Sequence, residues 1–327
     1  MDTLAIERRT REVIPEWRDA VLEFSVIEKG GSGRGFVRIS EPSSGKGIVA
    51  VSYIRDRPDN ARFAPVTEFL NRQNIPSPKL RHWDEESNCV WVEDLGSKDL
   101  GDLADEDWNS VRRPAYESAL RTVWKLHEVK EANPPADLPE LEPGFDDGIY
   151  QWEQDYFIDE YVARFFSREA ADKLRSDASL KELKAELCEL PRSLVHRDFQ
   201  STNVMVIDGG TYLIDYQGMR WGVPEYDLAS LVYDPYIEFQ PSERQDLVDY
   251  YFGLKQEAGD SQSKVAYERQ LCRCATQRLM QATGAYGFLG EAKGKREFLD
   301  HIPAARARLV ELSGQDGGMA VLGDLLD

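Results

Sequence analysis

The sequence has only four cysteines and four histidines in 327 residues. Cys89 and Cys188 stand alone, while Cys272 and Cys274 sit two apart on a helix-like stretch and therefore point to different faces. That usage implies reduced structural thiols rather than a disulfide framework. His82, His127, His196 and His301 never pair at metal-ligand spacing, so no zinc centre is expected. Basic residues are also short. Forty Lys and Arg against 59 Asp and Glu leave a formal net charge of −19, and no basic stripe is available to neutralise nucleic-acid phosphates. Such acidity is compatible with a cationic substrate, but a solvated surface produces it more often. No run approaches the roughly 18 apolar residues that span a membrane. The N-terminus, MDTLAIERRTREVIPEW, is amphipathic and mixed in charge and lacks the apolar core of a signal peptide, so cytoplasmic residence is expected.

What is present is the composition of a globular chain, 41% hydrophobic and 30% charged, long enough for one large or two moderate domains. The pattern changes character near residue 96. Before it lie short runs rich in Val, Ile, Phe and Tyr (LEFSVIEKG, GFVRIS, GIVAVSYI, CVWVEDL) separated by turn residues. One helical pattern, FAPVTEFLNRQNI, interrupts them and stops at Pro76 and Pro78. These predict a small, mostly antiparallel sheet with one helix over residues 1–95. Residues 96–327 read as mainly helical, with helices predicted at 114–129, 149–166, 168–190, 225–233, 242–256 and 263–289. A single β-island breaks that run: SLVHRDF, NVMVID and TYLIDYQ, with Gly209-Gly210 as the hairpin turn. The expected class is α+β.

The chemistry gathers on that island. Asp198 and Asn203 have the spacing H-R-D-x-x-x-x-N, and Asp215 ends the apolar strand TYLID. Phosphoryl transfer needs a carboxylate to take the proton of an attacking hydroxyl and oxygen ligands for Mg²⁺. A hairpin would bring Asn203 and Asp215 together at one end. An isolated His-Arg-Asp is more often turn chemistry; the complete string followed by a hairpin and I-D is not.

Four segments, LVHRDFQSTNVMV, LIDYQGMRWGVPEYDLASLVYDPY, VWVEDLG and RLMQATGAYGFLG, resemble the aminoglycoside phosphotransferase and choline kinase-like superfamily. Within it they look most like bacterial anomeric kinases of N-acetylmuramate and N-acetylglucosamine. The resemblance implies a bilobal protein-kinase-like fold with ATP and Mg²⁺ in the cleft. It implies Asp198 as catalytic base, Asn203 and Asp215 as metal ligands, His196 and Arg197 as structural members of the loop, and Asp227 as the buried helix-start acid that braces it. Asp227 is at the same time a carboxylate in a helix's first turn, which the helix dipole favours without any catalytic role.

Around this centre the expectations are looser. GGSGRG places Gly31, Ser32, Gly33 and Arg34 between two β-like runs, where they could cover phosphates, although G-x-G-x-x-G fails because residue 36 is Phe. In the resembling family WVEDLG is the adenine-binding hinge, around Glu93 and Leu95; by itself it reads as an edge strand and turn. Ser52 stands where protein kinases carry a lysine, and Glu68 has no evident cation; Arg34, Arg38, Lys46 and Arg55 are nearby substitutes. Gln200, Gln217, Arg220 and Glu153 are candidate contacts for a small-molecule sugar acceptor. Aminoglycoside or choline-type acceptors, and a nucleotide-binding pseudokinase, are the alternatives.

Overall fold

The structure, a computed structural model, describes residues 3–27, 34–54 and 58–327. Helix α1 (Thr3–Val13) leads into strands β1 (Glu23–Ile27), β2 (Arg34–Glu41) and β3 (Lys46–Tyr53). A short α2 (Pro58–Ala61) and then α3 (Phe63–Arg72) follow, before β4 (Leu80–Asp84) and β5 (Cys89–Glu93). The strands form one antiparallel sheet in the order β1-β2-β3-β5-β4.

Period-2 alternation explains why both faces of this sheet are covered. Ile48 and Ala50 on β3, with Cys89 and Trp91 on β5, share a core with Val37, Ile39 and the α1 residue Ile6. The intervening Val51, Tyr53, Val90 and Val92 pack into the main core with Phe63, Val66, Phe69 and Leu70 of α3. Trp91 Nε1 donates to Thr10 Oγ1 at 2.9 Å, pinning α1 to the outer face. The sequence pattern predicted the sheet and α3, but neither α1 nor β4. In β4 the register slips between Leu80 and His82, so LRHWD has no alternation to read.

The second half is helical: α4 (Arg113–His127), α5 (Asp147–Phe157), the short α6 (Ala163–Phe165), α7 (Arg168–Arg175) and α8 (Ala178–Glu189). The stretch predicted as one helix over 168–190 divides at Ser176-Asp177, where Asp177 Oδ1 accepts the Ser179 N–H and starts α8 afresh. Next come β6 (Ser193–Val195), β7 (Val204–Ile207), β8 (Gly210–Leu213) and β9 (Arg220–Gly222). They pair as β6–β9 and β7–β8. Ile207 is opposite Gly210, so the hairpin turns on Asp208-Gly209, one residue earlier than predicted. Both have positive φ (48° and 76°), which suits a two-residue turn of the primed type. Helices α9 (Pro224–Val232), α10 (Pro241–Glu257), α11 (Lys264–Gly287), α12 (Ile302–Ser313) and α13 (Ala320–Leu326) complete the chain.

This is the bilobal, protein-kinase-like α+β arrangement. Its two halves meet where α3 rests on the segment after β8: Phe63 stacks on Tyr216 (ring centroids 5.6 Å, 9° between planes), and Thr67 Oγ1 is 2.7 Å from Tyr216 Oη. Among the described residues no helix is long and apolar enough to cross a membrane.

Candidate active site

The loop after β6 is built around a buried acid. Asp227, in the first turn of α9, accepts the main-chain N–H groups of His196 (Oδ2, 2.6 Å) and Arg197 (Oδ1, 2.8 Å). Arg197 lies in the left-handed region at φ 77°, a conformation a non-glycine residue holds only when its surroundings enforce it. A second contact to Asp227 Oδ2 comes from buried His127 Nε2 at 3.0 Å, whose Nδ1 is 2.6 Å from Tyr251 Oη. His196 Nε2 donates to the Ile214 carbonyl at 2.9 Å, which leaves Nδ1 as the acceptor for the Asp198 N–H at 3.3 Å. Sequence reading placed Asp227 and His196 in this support; it did not reach His127.

Asp198 projects from the loop with about a quarter of its side chain exposed (28%). Its carbonyl accepts Asn203 Nδ2 at 3.0 Å, so the loop folds back on itself. Ile214 N–H donates to the Asn203 carbonyl at 3.0 Å, which sets Asn203 beside Asp215 across the hairpin ends. Asp215 is itself left-handed (φ 61°). The three residues singled out in sequence therefore converge.

The structure adds an arginine to each acid. Arg278 of α11 donates from Nη2 to Asp198 Oδ1 at 2.7 Å, while its Nε bonds Ser230 Oγ (2.8 Å) and its Nη1 bonds Gln281 Oε1 (2.7 Å). Burial works against its charge, yet Asp198 and Tyr226 outweigh burial and raise its pKa. The only hint in sequence is an arginine next to the apolar run Leu279-Met280 midway along a long helix that also carries Lys264, Glu268, Arg269 and Arg273. Arg34 Nη2 donates to Asp215 Oδ1 at 2.5 Å, and Gln217 Nε2 reaches the same oxygen at 3.0 Å. Burial pushes the Asp215 carboxyl up, but Arg34 and Gln217 prevail and lower it. Ser52 pairs with Gly35 in the β2–β3 ladder, so Arg34 supplies cation one residue along from the position where lysine is missing. Glu68 turns outward instead, into an exposed pair with Arg72 at 3.1 Å. Gly31, Ser32, Gly33 and the substitute Arg55 lie outside the described residues.

Whether these groups suit Mg²⁺ is a question of donor chemistry. Asp215 offers a carboxylate that already attracts a cation, and Asn203 spends its amide N–H on Asp198, leaving its carbonyl oxygen to coordinate. Hard oxygen donors of this kind fit magnesium. Among the described residues no cluster of three or more His, Cys, Asp or Glu suggests another metal.

The remaining candidates divide. Leu95 is buried and its main chain makes no hydrogen bond among the described residues, whereas Glu93 is tied to Lys79 through both its N–H and its carboxylate. Gln200 turns toward Thr202 Oγ1 (3.2 Å). Gln217 is buried next to Asp215, with its Oε1 lacking a partner among the described residues. Arg220 lies over the Phe145 ring at 5.2 Å and donates to the Gly218 carbonyl at 3.3 Å. Glu153 corrects the sequence expectation. It is 1% exposed, with Oε1 taken by Tyr226 Oη (2.8 Å) and Oε2 by Gln277 Nε2 (3.0 Å), so it lies beneath the site and has no oxygen for an acceptor.

Residues 23–260 match the model of the phosphotransferase enzyme family. An N-acetylmuramate/N-acetylglucosamine kinase of Neisseria meningitidis serogroup B is 26% identical over 289 residues, which is 87% of this chain and 84% of that protein. One of Pseudomonas putida is 23% identical over 274 residues, covering 82% of this chain and 78% of the relative. Among solved structures, a choline/ethanolamine kinase family protein from Mesorhizobium loti superposes with a TM-score of 0.66 at 14% identity, over 99% of each chain; at that identity the likeness is one of fold.

Proposed function

Because the chain belongs to the phosphotransferase enzyme family, we propose that it is an ATP-dependent sugar kinase acting on the anomeric hydroxyl of an amino sugar. The observation that carries this reading is the convergence of Asp198, Asn203 and Asp215 at the ends of one hairpin, facing Arg34 from the sheet. The similarity to kinases named for N-acetylmuramate and N-acetylglucosamine supports the sugar class.

In this reading Asp198 hydrogen-bonds the acceptor hydroxyl and takes its proton as the new P–O bond forms and the bond between the β- and γ-phosphates breaks, releasing ADP. Arg278 holds one carboxylate oxygen, so the other is the one that meets the hydroxyl. Magnesium held by Asp215 and Asn203 would supply neutralisation of phosphate charge. Arg34 then leaves Asp215 for the phosphates, doing from β2 what a lysine on β3 does in protein kinases. Leu95 offers its free main-chain groups to the base.

The test is a panel of sugars incubated with protein and MgATP, with ADP release and reducing-end reactivity followed together. ADP release with loss of the reducing end is expected. ADP release with the reducing end intact refutes the anomeric position, and release only with aminoglycosides or choline refutes the sugar.

A further inference from the structure

We propose that Arg197 and Arg220 form an anion subsite beside Asp198 that selects an acceptor sugar bearing a carboxylate; the inference rests on the sugar-kinase reading above. Val195 pairs with Arg220 across β6–β9, and Arg197 lies two residues beyond Val195, so the two guanidinium side chains leave neighbouring positions. Their nearness is felt electrostatically: burial and then Arg197 lower the pKa of Arg220.

Two adjacent like charges need a counter-ion. Elsewhere around the cleft arginines have one: Arg34 on Asp215, Arg62 on Glu142, Arg192 on Glu131 and Arg278 on Asp198. Neither Arg197 nor Arg220 makes an ion pair within 4.0 Å among the described residues, although the chain has 59 acids. Glu142 acts on Arg220 but is paired with Arg62, and Glu153, the acid both feel, has its oxygens occupied by Tyr226 and Gln277. The Arg220 guanidinium is positioned by Phe145 and Gly218, and the Arg197 main chain, from which its side chain departs, is held on Asp227. A pair of guanidiniums without an ion-pair partner favours a planar oxyanion.

The anion could be a carboxylate of the acceptor or a phosphate of the nucleotide. Position favours the acceptor. Arg34 and Asp215 mark the phosphate side toward the sheet, whereas Arg197 acts on Glu153 and Tyr156 of α5, on the helical side of the base.

N-acetylmuramate and N-acetylglucosamine differ by one lactyl ether with its carboxylate, and so form a matched pair. Their dissociation constants, measured by calorimetry with Mg·ADP present, should show wild type preferring the carboxylated sugar about tenfold or more. Arg197→Gln and Arg220→Gln should each erode that preference about tenfold, and Arg220→Lys should keep part of it. Thermal melts identify any variant that fails to fold, in which case the remaining glutamine variant and Arg220→Lys supply the comparison. Equal binding of the two sugars by wild type overturns the subsite. So does equal weakening of both sugars in the variants, or a loss confined to ADP affinity. Selective binding without phosphoryl transfer to either sugar supports the subsite and overturns the sugar-kinase reading instead.

Discussion

Asp198 has two carboxylate oxygens and Arg278 occupies one of them, so as the proposed base it would contribute orientation as much as basicity. A guanidinium anchored on Ser230 and Gln281 keeps the carboxylate from rotating. Misplacing a reacting group by about 1 Å can cost around 100-fold. Arg278→Ala is therefore expected to lower kcat by about 10- to 100-fold with a smaller change in acceptor KM, and Arg278→Lys to recover only part, since one ammonium cannot reach three partners. Steady-state kinetics on variants with wild-type circular dichroism check this; an unchanged kcat removes Arg278 from the mechanism. Glu153 makes a second prediction. Burial raises its carboxyl above the ordinary value, against the Gln277 and Tyr226 hydrogen bonds that lower it. The folded state thus binds that proton more tightly than the unfolded one, and the stability this confers is present at low pH and lost as pH rises through the folded pKa. Melting Glu153→Gln and wild type from pH 4.5 to 7 should show the variant gaining on wild type with rising pH; parallel curves would refute it. Asp198, Asn203 and Asp215, the proposed base and metal ligands, were legible because they lie within eighteen residues around one hairpin. Arg278 was not, since its contact with Asp198 spans 80 residues and depends on helix packing.

Helix α11 is where an element-level device replaces side-chain chemistry. Nearly every residue from Leu271 to Gly287 is buried, and the approach to α5 and the turn after it is set by two glycines. A Cβ on Gly287 would stand 2.2 Å from the Glu160 carbonyl oxygen, and one on Gly284 would stand 2.9 Å from that of Tyr156. The GAYG in the C-terminal segment is thus a packing requirement that seats α5, and with it Glu153 and Tyr156, under the loop containing Arg197. Gly287→Ala should gain up to about 1 kcal/mol of helix propensity and lose about 3 kcal/mol to overpacking, a net destabilisation of about 2 kcal/mol. Gly253 of α10 is the control. Nothing lies within 4 Å of its Cβ position, so Gly253→Ala should stabilise by up to about 1 kcal/mol. Urea denaturation separates the two, and shifts of the same sign would sink the argument. The periodic α4 could be read in sequence because packing reinforces what the pattern prefers, and α10 and α11 could be read as long uninterrupted helical stretches. The three-residue β6 and β9 are paired by tertiary context alone; β6 was legible only as part of the apolar run before His196, and β9 carries no local signal.

At the scale of the molecule, the change of pattern near residue 96 foretold a β-rich half and a helical half, but not what holds them together. Phe63 on Tyr216 is the apolar part of that junction, and Arg34 on Asp215 together with Arg62 on Glu142 is the charged part. These contacts join residues far apart in sequence, and although Phe63 belongs to the readable pattern of α3, nothing local names Tyr216, Asp215 or Glu142 as the partners across the junction. They also make the junction sensitive to ligand. A nucleotide bridging the halves stabilises the fold by mass action, about 2.7 kcal/mol at a hundredfold excess over Kd. In the proposed reading its phosphates would draw Arg34 from Asp215 and leave that carboxylate available to the metal. ADP and Mg²⁺ together should therefore raise the melting temperature by more than the sum of their separate effects. Asp215→Asn should abolish the part that depends on magnesium while keeping the part due to ADP alone. Arg34→Ala should do the reverse, weakening ADP while leaving Asp215 open to metal even without nucleotide. If Asp215→Asn retains the full magnesium increment, Arg34 and the metal do not share that carboxylate, and the cation that stands in for the missing lysine must be sought elsewhere.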